Sequence, residues 1–199
     1  MNQNKLFSYI ATALASILML TALVYYNFLD KPTVSGVEVG NKCPDFTVNT
    51  YKIEDGLFKT GGEPFTLSEQ RGKIVIINFW ATYCAPCKAE IPEFNQIQEA
   101  YKEDVVVITL DGEISFPEER LAGWLNINPE PVNAKWNTFS IKFGTYNANV
   151  DDLYAKLGFS GALPSTLIVN REGEIVFKAP GLSMHYEDLE RELTPLLKY

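Results

Sequence analysis

Residues 74–92, IVIINFWATYCAPCKAEIP, decide the fold of this chain. Their first seven residues form an apolar run that only Asn78 interrupts, which is typical of a strand buried on both faces of a sheet. From Pro86 to about Lys102, apolar residues recur at spacings of three and four and predict a helix. Val105–Leu110 is again apolar and predicts a second buried strand. A strand, a helix and a strand in this order predict a βαβ unit with parallel strands.

Further elements extend this unit in both directions along the chain. Before it, alternating apolar residues at 46–50 and the extended stretch PFTL predict an N-terminal β-hairpin, with Gly61-Gly62 marking a turn. After it, we expect a helix over 116–127, a loop over 128–137, a strand over 140–143, a helix over 150–157, strands over 165–169 and 174–179, and a closing helix. The predicted fold class is α/β, a mixed central sheet with helices on both faces.

Composition excludes several classes of protein. The 199 residues carry 17 Lys+Arg against 25 Asp+Glu, a net charge of −8, which argues against nucleic-acid binding. With 46% hydrophobic residues the chain can bury a core and is not disordered. A single His excludes a multi-histidine metal centre, and three Cys are too few for a disulfide-framework scaffold.

An uncharged N-terminal run, Leu6–Leu29, is long enough to cross a bilayer as one helix. We therefore predict a cytoplasmic N-terminus over 1–5, a transmembrane anchor over 6–29, a linker over 30–40 and one domain over 41–199. A cleaved signal peptide is the alternative for 6–29, although this run exceeds the usual length of such a segment.

The cysteine pair Cys84 and Cys87 falls between the first buried strand and the helix. A helix N-terminus stabilises a thiolate, and a second thiol three residues on can close a disulfide, so the pair can carry two electrons. A zinc site is an alternative, but Cys43 and His185 are the only soft ligands left. A disulfide with a purely structural role is a second alternative. We expect Cys43 to be a buried free thiol, with a bond to a cysteine of a partner protein as the alternative.

The segment NFWATYCAPCKAEIP resembles the active site of the thioredoxin superfamily, and more narrowly that of the membrane-anchored TlpA/ResA-type thiol-disulfide oxidoreductases. GNKCPDF, RGKIVIINFW and LPSTLIVNREGEIVF match family segments in the same order. The resemblance covers about residues 36–115 and 150–199 and implies a thioredoxin-like fold.

The resemblance implies a role for each matched residue. Cys84 is the expected attacking nucleophile and Cys87 the resolving thiol. Pro164 is expected to follow a cis peptide bond, so that the backbone at Leu163 can pair with an extended substrate segment. No cofactor and no metal are expected besides the Cys84–Cys87 disulfide.

The resemblance also suggests where an acid stands. Asn78 occupies the position of a buried Asp in many thioredoxins, so the acid is expected after the next strand, with Glu113 preferred to Asp111. Such a carboxyl would shuttle the proton of the resolving thiol. Trp80 and Tyr83 are expected to wall the site and contact substrate, with plain core packing as the alternative for Trp80.

These expectations together predict an extracytoplasmic reductase of specific protein disulfides, such as those of cytochrome c maturation. Its electron donor would be a membrane thiol transporter of the CcdA/DsbD kind, and it would sit in the cell membrane with its domain on the periplasmic side. A peroxiredoxin-like peroxidase is one alternative, although the expected threonine spacing before the cysteine is absent. A copper-binding assembly module is another, although such carriers use CxxxC and a distal His.

Overall fold

The computed structural model describes residues 14–21, 37–113, 117–127, 135–159 and 161–198. The chain forms two compact units, Met1–Ser35 and Gly36–Tyr199. In the first unit, residues 14–21 form an exposed helix, α1. The remainder of the predicted anchor, the N-terminus 1–5 and most of the linker lie outside the described residues. Across the described ranges, no helix combines the length and apolar character that a membrane span requires.

The second unit alternates strands and helices. Its elements are β1 (Thr47–Glu54), β2 (Leu57–Thr66), β3 (Ile74–Trp80), α2 (Ala85–Ala100), β4 (Val105–Asp111), α3 (Glu118–Leu125), β5 (Lys142–Gly144), α4 (Ala148–Lys156), β6 (Ser165–Val169), β7 (Ile175–Pro180) and α5 (Tyr186–Leu193).

The strands form one mixed sheet in the order β2-β1-β5-β4-β3-β6-β7. β3 runs parallel to β4, in a register that places Ile74 opposite Val105 and Trp80 opposite Asp111. β4 and β5 are also parallel, whereas the other neighbouring strands are antiparallel. The predicted βαβ unit and mixed sheet are therefore confirmed.

β3 is buried on both faces of the sheet because helices cover each face. Ile74, Ile76 and Trp80 belong to the core beneath α2, α3 and α5, whereas Val75 and Phe79 belong to the core beneath α4. This explains why the strand reads as a continuous apolar run. It also places the end of β3, where the cysteine pair follows, between the two layers of helices.

The N-terminal hairpin turns at a different place from the one predicted. The turn is Asp55-Gly56, both with positive φ (54° and 74°), a combination that suits a tight hairpin. Gly61 and Gly62 lie inside β2 instead. A Cβ on Gly62 would stand 2.6 Å from the carbonyl oxygen of Thr50, so glycine there permits close approach of two strands rather than a turn.

Candidate active site

The cysteine pair lies at the N-terminus of α2, as the sequence predicts, and is joined by a disulfide. Cys84 is the N-cap residue, and its sulfur accepts a hydrogen bond of 3.3 Å from the backbone N–H of Cys87. Cys84 is 8% exposed to solvent and Cys87 is fully buried, so an incoming sulfur meets Cys84 first. Pro86 occupies the first turn, where no backbone N–H is needed. The geometry thus gives one accessible sulfur at a helix N-terminus and one enclosed sulfur.

The peptide bond between Leu163 and Pro164 is cis, which confirms the expectation from the resemblance. It directly precedes β6, the antiparallel neighbour of β3. Leu163 is half-buried and Pro164 is buried. Tyr83, the residue before Cys84, is 73% exposed. Tyr83 and Leu163 border the same surface cavity, so these two predicted substrate contacts are both available to a partner.

Trp80 differs from the expectation that it contacts substrate. It is 1% exposed and lies in the core. Its ring centroid is 5.6 Å from that of Trp124 and 5.7 Å from that of Trp136, and these two are 6.1 Å apart. Trp80 is therefore a core residue, because neighbouring aromatic rings occupy the space a substrate would need. Lys88 lies over the Trp124 ring at 5.7 Å.

Glu113 holds the active-site loop. Its carboxylate accepts a hydrogen bond of 2.7 Å from the backbone N–H of Thr82, and its own N–H donates to Asp111 at 3.1 Å. Glu113 is half-buried, whereas Asp111 is fully buried. Burial raises the pKa of Asp111 to about 7. Glu113 therefore acts on the backbone of the active-site loop, whereas Asp111 is the enclosed carboxyl.

Glu90 is a buried acid that the sequence analysis missed. It follows Cys87 by three residues on α2, which places both on the buried side of the helix. Its carboxylate accepts hydrogen bonds from the Asn78 amide (2.7 Å), the Ser183 hydroxyl (3.0 Å) and the Met184 backbone N–H (2.8 Å). Burial raises its pKa to about 7 despite these donors. Two signals in the sequence pointed to it: a polar residue at the buried spacing of α2, and Asn78 within an apolar strand.

The remaining predicted candidates lie apart from this chemistry. Cys43 is a buried free thiol, as expected, and burial raises its pKa to about 12. His185 is the N-cap residue of α5, and its ring lies 3.6 Å from the carboxylate of Glu93. Cys43 is enclosed in the core and His185 caps α5, so the chemistry rests on Cys84, Cys87 and the acids around them.

This arrangement can exchange a disulfide. A thiolate at Cys84 would be stabilised by the N-terminus of α2. An enclosed thiol at Cys87 can displace a partner from Cys84. Glu90 and Asp111 titrate near neutrality and are suited to exchange protons at physiological pH.

Comparison with solved structures supports the fold. A DsbE-type thiol:disulfide interchange protein from Chlorobium tepidum superposes with a TM-score of 0.59 at 20% identity, over 81% of this chain and 99% of that one. A thioredoxin-like superfamily protein, SPOA0173, gives a TM-score of 0.60 at 18% identity, over 79% of this chain and 97% of that one. At these identities the likeness establishes the thioredoxin-like fold.

Sequence comparison extends the likeness to the whole chain. The thiol-disulfide oxidoreductase ResA of Geobacillus kaustophilus is 29% identical over 194 residues, which cover 96% of this chain and 95% of that protein. ResA of Geobacillus thermodenitrificans is 28% identical and covers 89% of each chain. The AhpC/TSA family matches residues 39–178. The chain therefore belongs to the AhpC/TSA family within the thioredoxin superfamily, and it is a ResA-like thiol-disulfide oxidoreductase.

Proposed function

We propose that this oxidoreductase works as a reductase of specific protein disulfides. The observation that carries the proposal is the pairing of an accessible Cys84 sulfur with a fully buried Cys87, one helical turn before the buried Glu90. An enclosed second cysteine favours release of a reduced substrate, because Cys87 lies close enough to attack Cys84 while solvent thiols cannot reach Cys87.

The reaction begins from the dithiol form of the pair. The Cys84 thiolate attacks one sulfur of the substrate disulfide, and the other substrate sulfur leaves as a thiolate. The Cys87 thiolate then attacks the Cys84 sulfur, which forms the Cys84–Cys87 disulfide and releases the second substrate thiolate. Two electrons pass to the substrate, and two protons end on its thiols.

Cys87 must lose its proton before that second attack. Its surroundings are apolar, which disfavours a thiolate. Glu90 lies three residues along the same helix and has its pKa raised to about 7 by burial, so we assign the proton to its carboxylate. Glu113 and Pro164 complete the proposed catalytic set, with Glu113 holding the Thr82 backbone and Pro164 shaping the loop beside the pair.

We propose that the domain lies outside the cytoplasm, tethered to the cell membrane by residues 6–29. The support is the uncharged run of 24 residues, Leu6–Leu29. Electrons would come from a membrane thiol transporter of the CcdA/DsbD kind. Substrates would be protein disulfides such as those of apocytochrome c in cytochrome c maturation.

The equilibrium reduction potential of the Cys84–Cys87 pair, measured on the full chain in thiol/disulfide buffers, tests the direction. A value below about −220 mV supports a reductase. A value near −120 mV, roughly that of a strong oxidant, would overturn it. Labelling of Cys84 in intact cells by a membrane-impermeant thiol reagent tests the location, and protection until the cells are lysed would contradict it.

A further inference from the structure

An open cavity of about 110 Å³ borders the active site on the face of the sheet that α4 covers. Tyr83, before Cys84, and Leu163, before the cis Pro164, form the part of its wall nearest the disulfide. Phe79 and Val150 belong to the core on this side. This volume is below the range of about 300–1,000 Å³ typical of pockets that enclose whole small ligands, so the cavity suits a single side chain. The cavity is therefore placed to receive a group of the substrate that flanks the reacting disulfide.

Tyrosines give this cavity its character. Tyr83, Tyr146 and Tyr154 all line it. The Tyr154 hydroxyl donates a hydrogen bond of 2.7 Å to the carbonyl of Ala162, and its ring lies 5.1 Å from that of Phe79, so it is fixed against the cis-proline loop. Tyr83 is 73% exposed and has no role in the core. Fixed and exposed aromatic rings of this kind attract apolar groups and cations.

The charge of the cavity is negative. Asp151, in the first turn of α4, lines it, and no Lys or Arg is among the described residues that do so. Asp151 has no ion pair with any residue that the structure describes, whereas its neighbour Asp152 pairs with Lys156. Burial, and then the nearby carboxylates of Asp151 and Asp111, raise the pKa of the Tyr146 hydroxyl. The protein as a whole carries a net charge of −8. A cationic group is the complement of these surroundings.

We propose that this cavity binds the side chain of a Lys or Arg that flanks the disulfide of a protein substrate. The cation meets the tyrosine faces and the Asp151 carboxylate, while Leu163 and the end of β3 contact the aliphatic stem. Binding of this kind selects substrates and positions the disulfide over Cys84. The inference rests on the proposed reductase function and names the class of segment that the site prefers.

A set of matched disulfide peptides tests it on the reduced full chain. The peptides differ at one position beside a cysteine, which carries Arg, its neutral isostere citrulline, Leu or Glu. We expect kcat/KM for the Arg peptide to be about tenfold higher than for the citrulline peptide, with the Glu peptide slowest. Equal rates for Arg and citrulline, or a preference for Leu, would overturn the inference. Failure to reduce any of the four peptides would instead overturn the proposed function.

Two neighbouring variants assign the preference to the cavity. Asp151→Asn should bring the Arg-to-citrulline ratio close to one. Asp152→Asn changes the net charge equally, but Asp152 is outside the cavity, so the ratio and the rate should stay as in the unchanged protein. If both variants lower the ratio alike, the preference comes from the overall charge and the assignment to this cavity is wrong. Melting temperatures of both variants verify that they are folded.

Discussion

The carboxylate of Glu90 on α2 accepts a hydrogen bond of 2.7 Å from the side-chain amide of Asn78 on β3. Many thioredoxins carry their buried acid on the strand, at the position that Asn78 occupies. Here the acid stands on the helix and the strand supplies its donor. The buried carboxyl of this chain is therefore carried by the helix that also carries Cys87, rather than by the neighbouring strand.

Glu90→Gln should slow resolution of the mixed disulfide by about 10- to 100-fold near neutral pH, because Cys87 loses its proton acceptor. The Asn78 Oδ1 atom is buried without a hydrogen-bond partner among the described residues, so that amide can turn to accept from the new Gln. Single-turnover assays with acid quenching and thiol alkylation, across pH 5 to 9, give the rate and its pH profile.

Two comparisons make this result specific to Glu90. Glu93→Gln removes a half-buried carboxylate one turn further along α2 and should leave the profile unchanged. Glu113→Gln keeps an acceptor for the Thr82 N–H. A pH profile altered by Glu113→Gln but not by Glu90→Gln would assign the proton to Glu113, as the sequence alone suggests.

Cys87→Ser should accumulate mixed disulfides with substrate proteins in cells, because Cys84 can attack but nothing resolves the product. Non-reducing gels followed by mass spectrometry detect the adducts. The double variant Cys84→Ser/Cys87→Ser should trap nothing. Cys43→Ala in the Cys87→Ser background should trap as well as Cys87→Ser alone, since Cys43 is buried and burial raises its pKa. Adducts that persist in the double variant would contradict Cys84 as the nucleophile.

The free energy of unfolding should fall as pH rises from about 4 to about 7. Free Glu and Asp side chains have pKa values of 4.5 and 3.8, whereas burial raises the pKa values of Glu90 and Asp111 to about 7 in the folded protein. At pH values between the pKa of the unfolded state and that of the folded state, the folded protein binds more protons than the unfolded chain. The resulting contribution to the free energy of unfolding is complete below the unfolded-state pKa and is lost as pH rises through the folded-state pKa. For each group the free energy of unfolding should fall by on the order of 3 kcal/mol from pH 4 to pH 8.

Urea unfolding at a series of pH values measures this loss. The variant Glu90→Gln/Asp111→Asn should show a flatter curve between pH 5 and 8, since neither replacement titrates. An equally steep curve in the variant would mean that other groups cause the loss.

Gly62→Ala should destabilise the domain by about 1–3 kcal/mol, because the added Cβ would stand 2.6 Å from the Thr50 carbonyl oxygen. Gly123→Ala is the matched control: in α3 its Cβ would meet nothing within 4 Å, so it should stabilise by roughly 0.5–1 kcal/mol. Thermal unfolding of both variants checks the pair. If Gly62→Ala costs nothing, the two strands can separate there, contrary to the structure.

The sequence predicts most of the fold because its signals are local and strong. β3 and β6 have the predicted bounds, Ile74–Trp80 and Ser165–Val169, and every residue of both strands is buried. The predicted hairpin turn at Gly61-Gly62 is wrong, because Asp55-Gly56 forms the turn. From the sequence alone, a glycine that permits a turn cannot be distinguished from a glycine that permits close contact between two strands, because the distinction depends on the partner strand.

The site could be predicted in part for the same reason. Cys84, Cys87 and Pro164 stand in contiguous motifs, whereas Glu90 acquires its importance from Asn78, Ser183 and Met184, which come from distant parts of the chain. The sequence leaves Trp80 open between substrate contact and core packing, because its burial depends on Trp124 and Trp136, in a segment without a familiar pattern.

The tryptophan cluster has a spectroscopic consequence. The sequence contains three Trp, and all three, Trp80, Trp124 and Trp136, lie in or against the core that also holds Cys84 and Cys87. The intrinsic ultraviolet emission of the chain therefore originates beside its redox centre, and a disulfide is a quencher of indole fluorescence. Oxidation and reduction should change the brightness of the unlabelled protein, so it carries its own optical reporter of electron transfer.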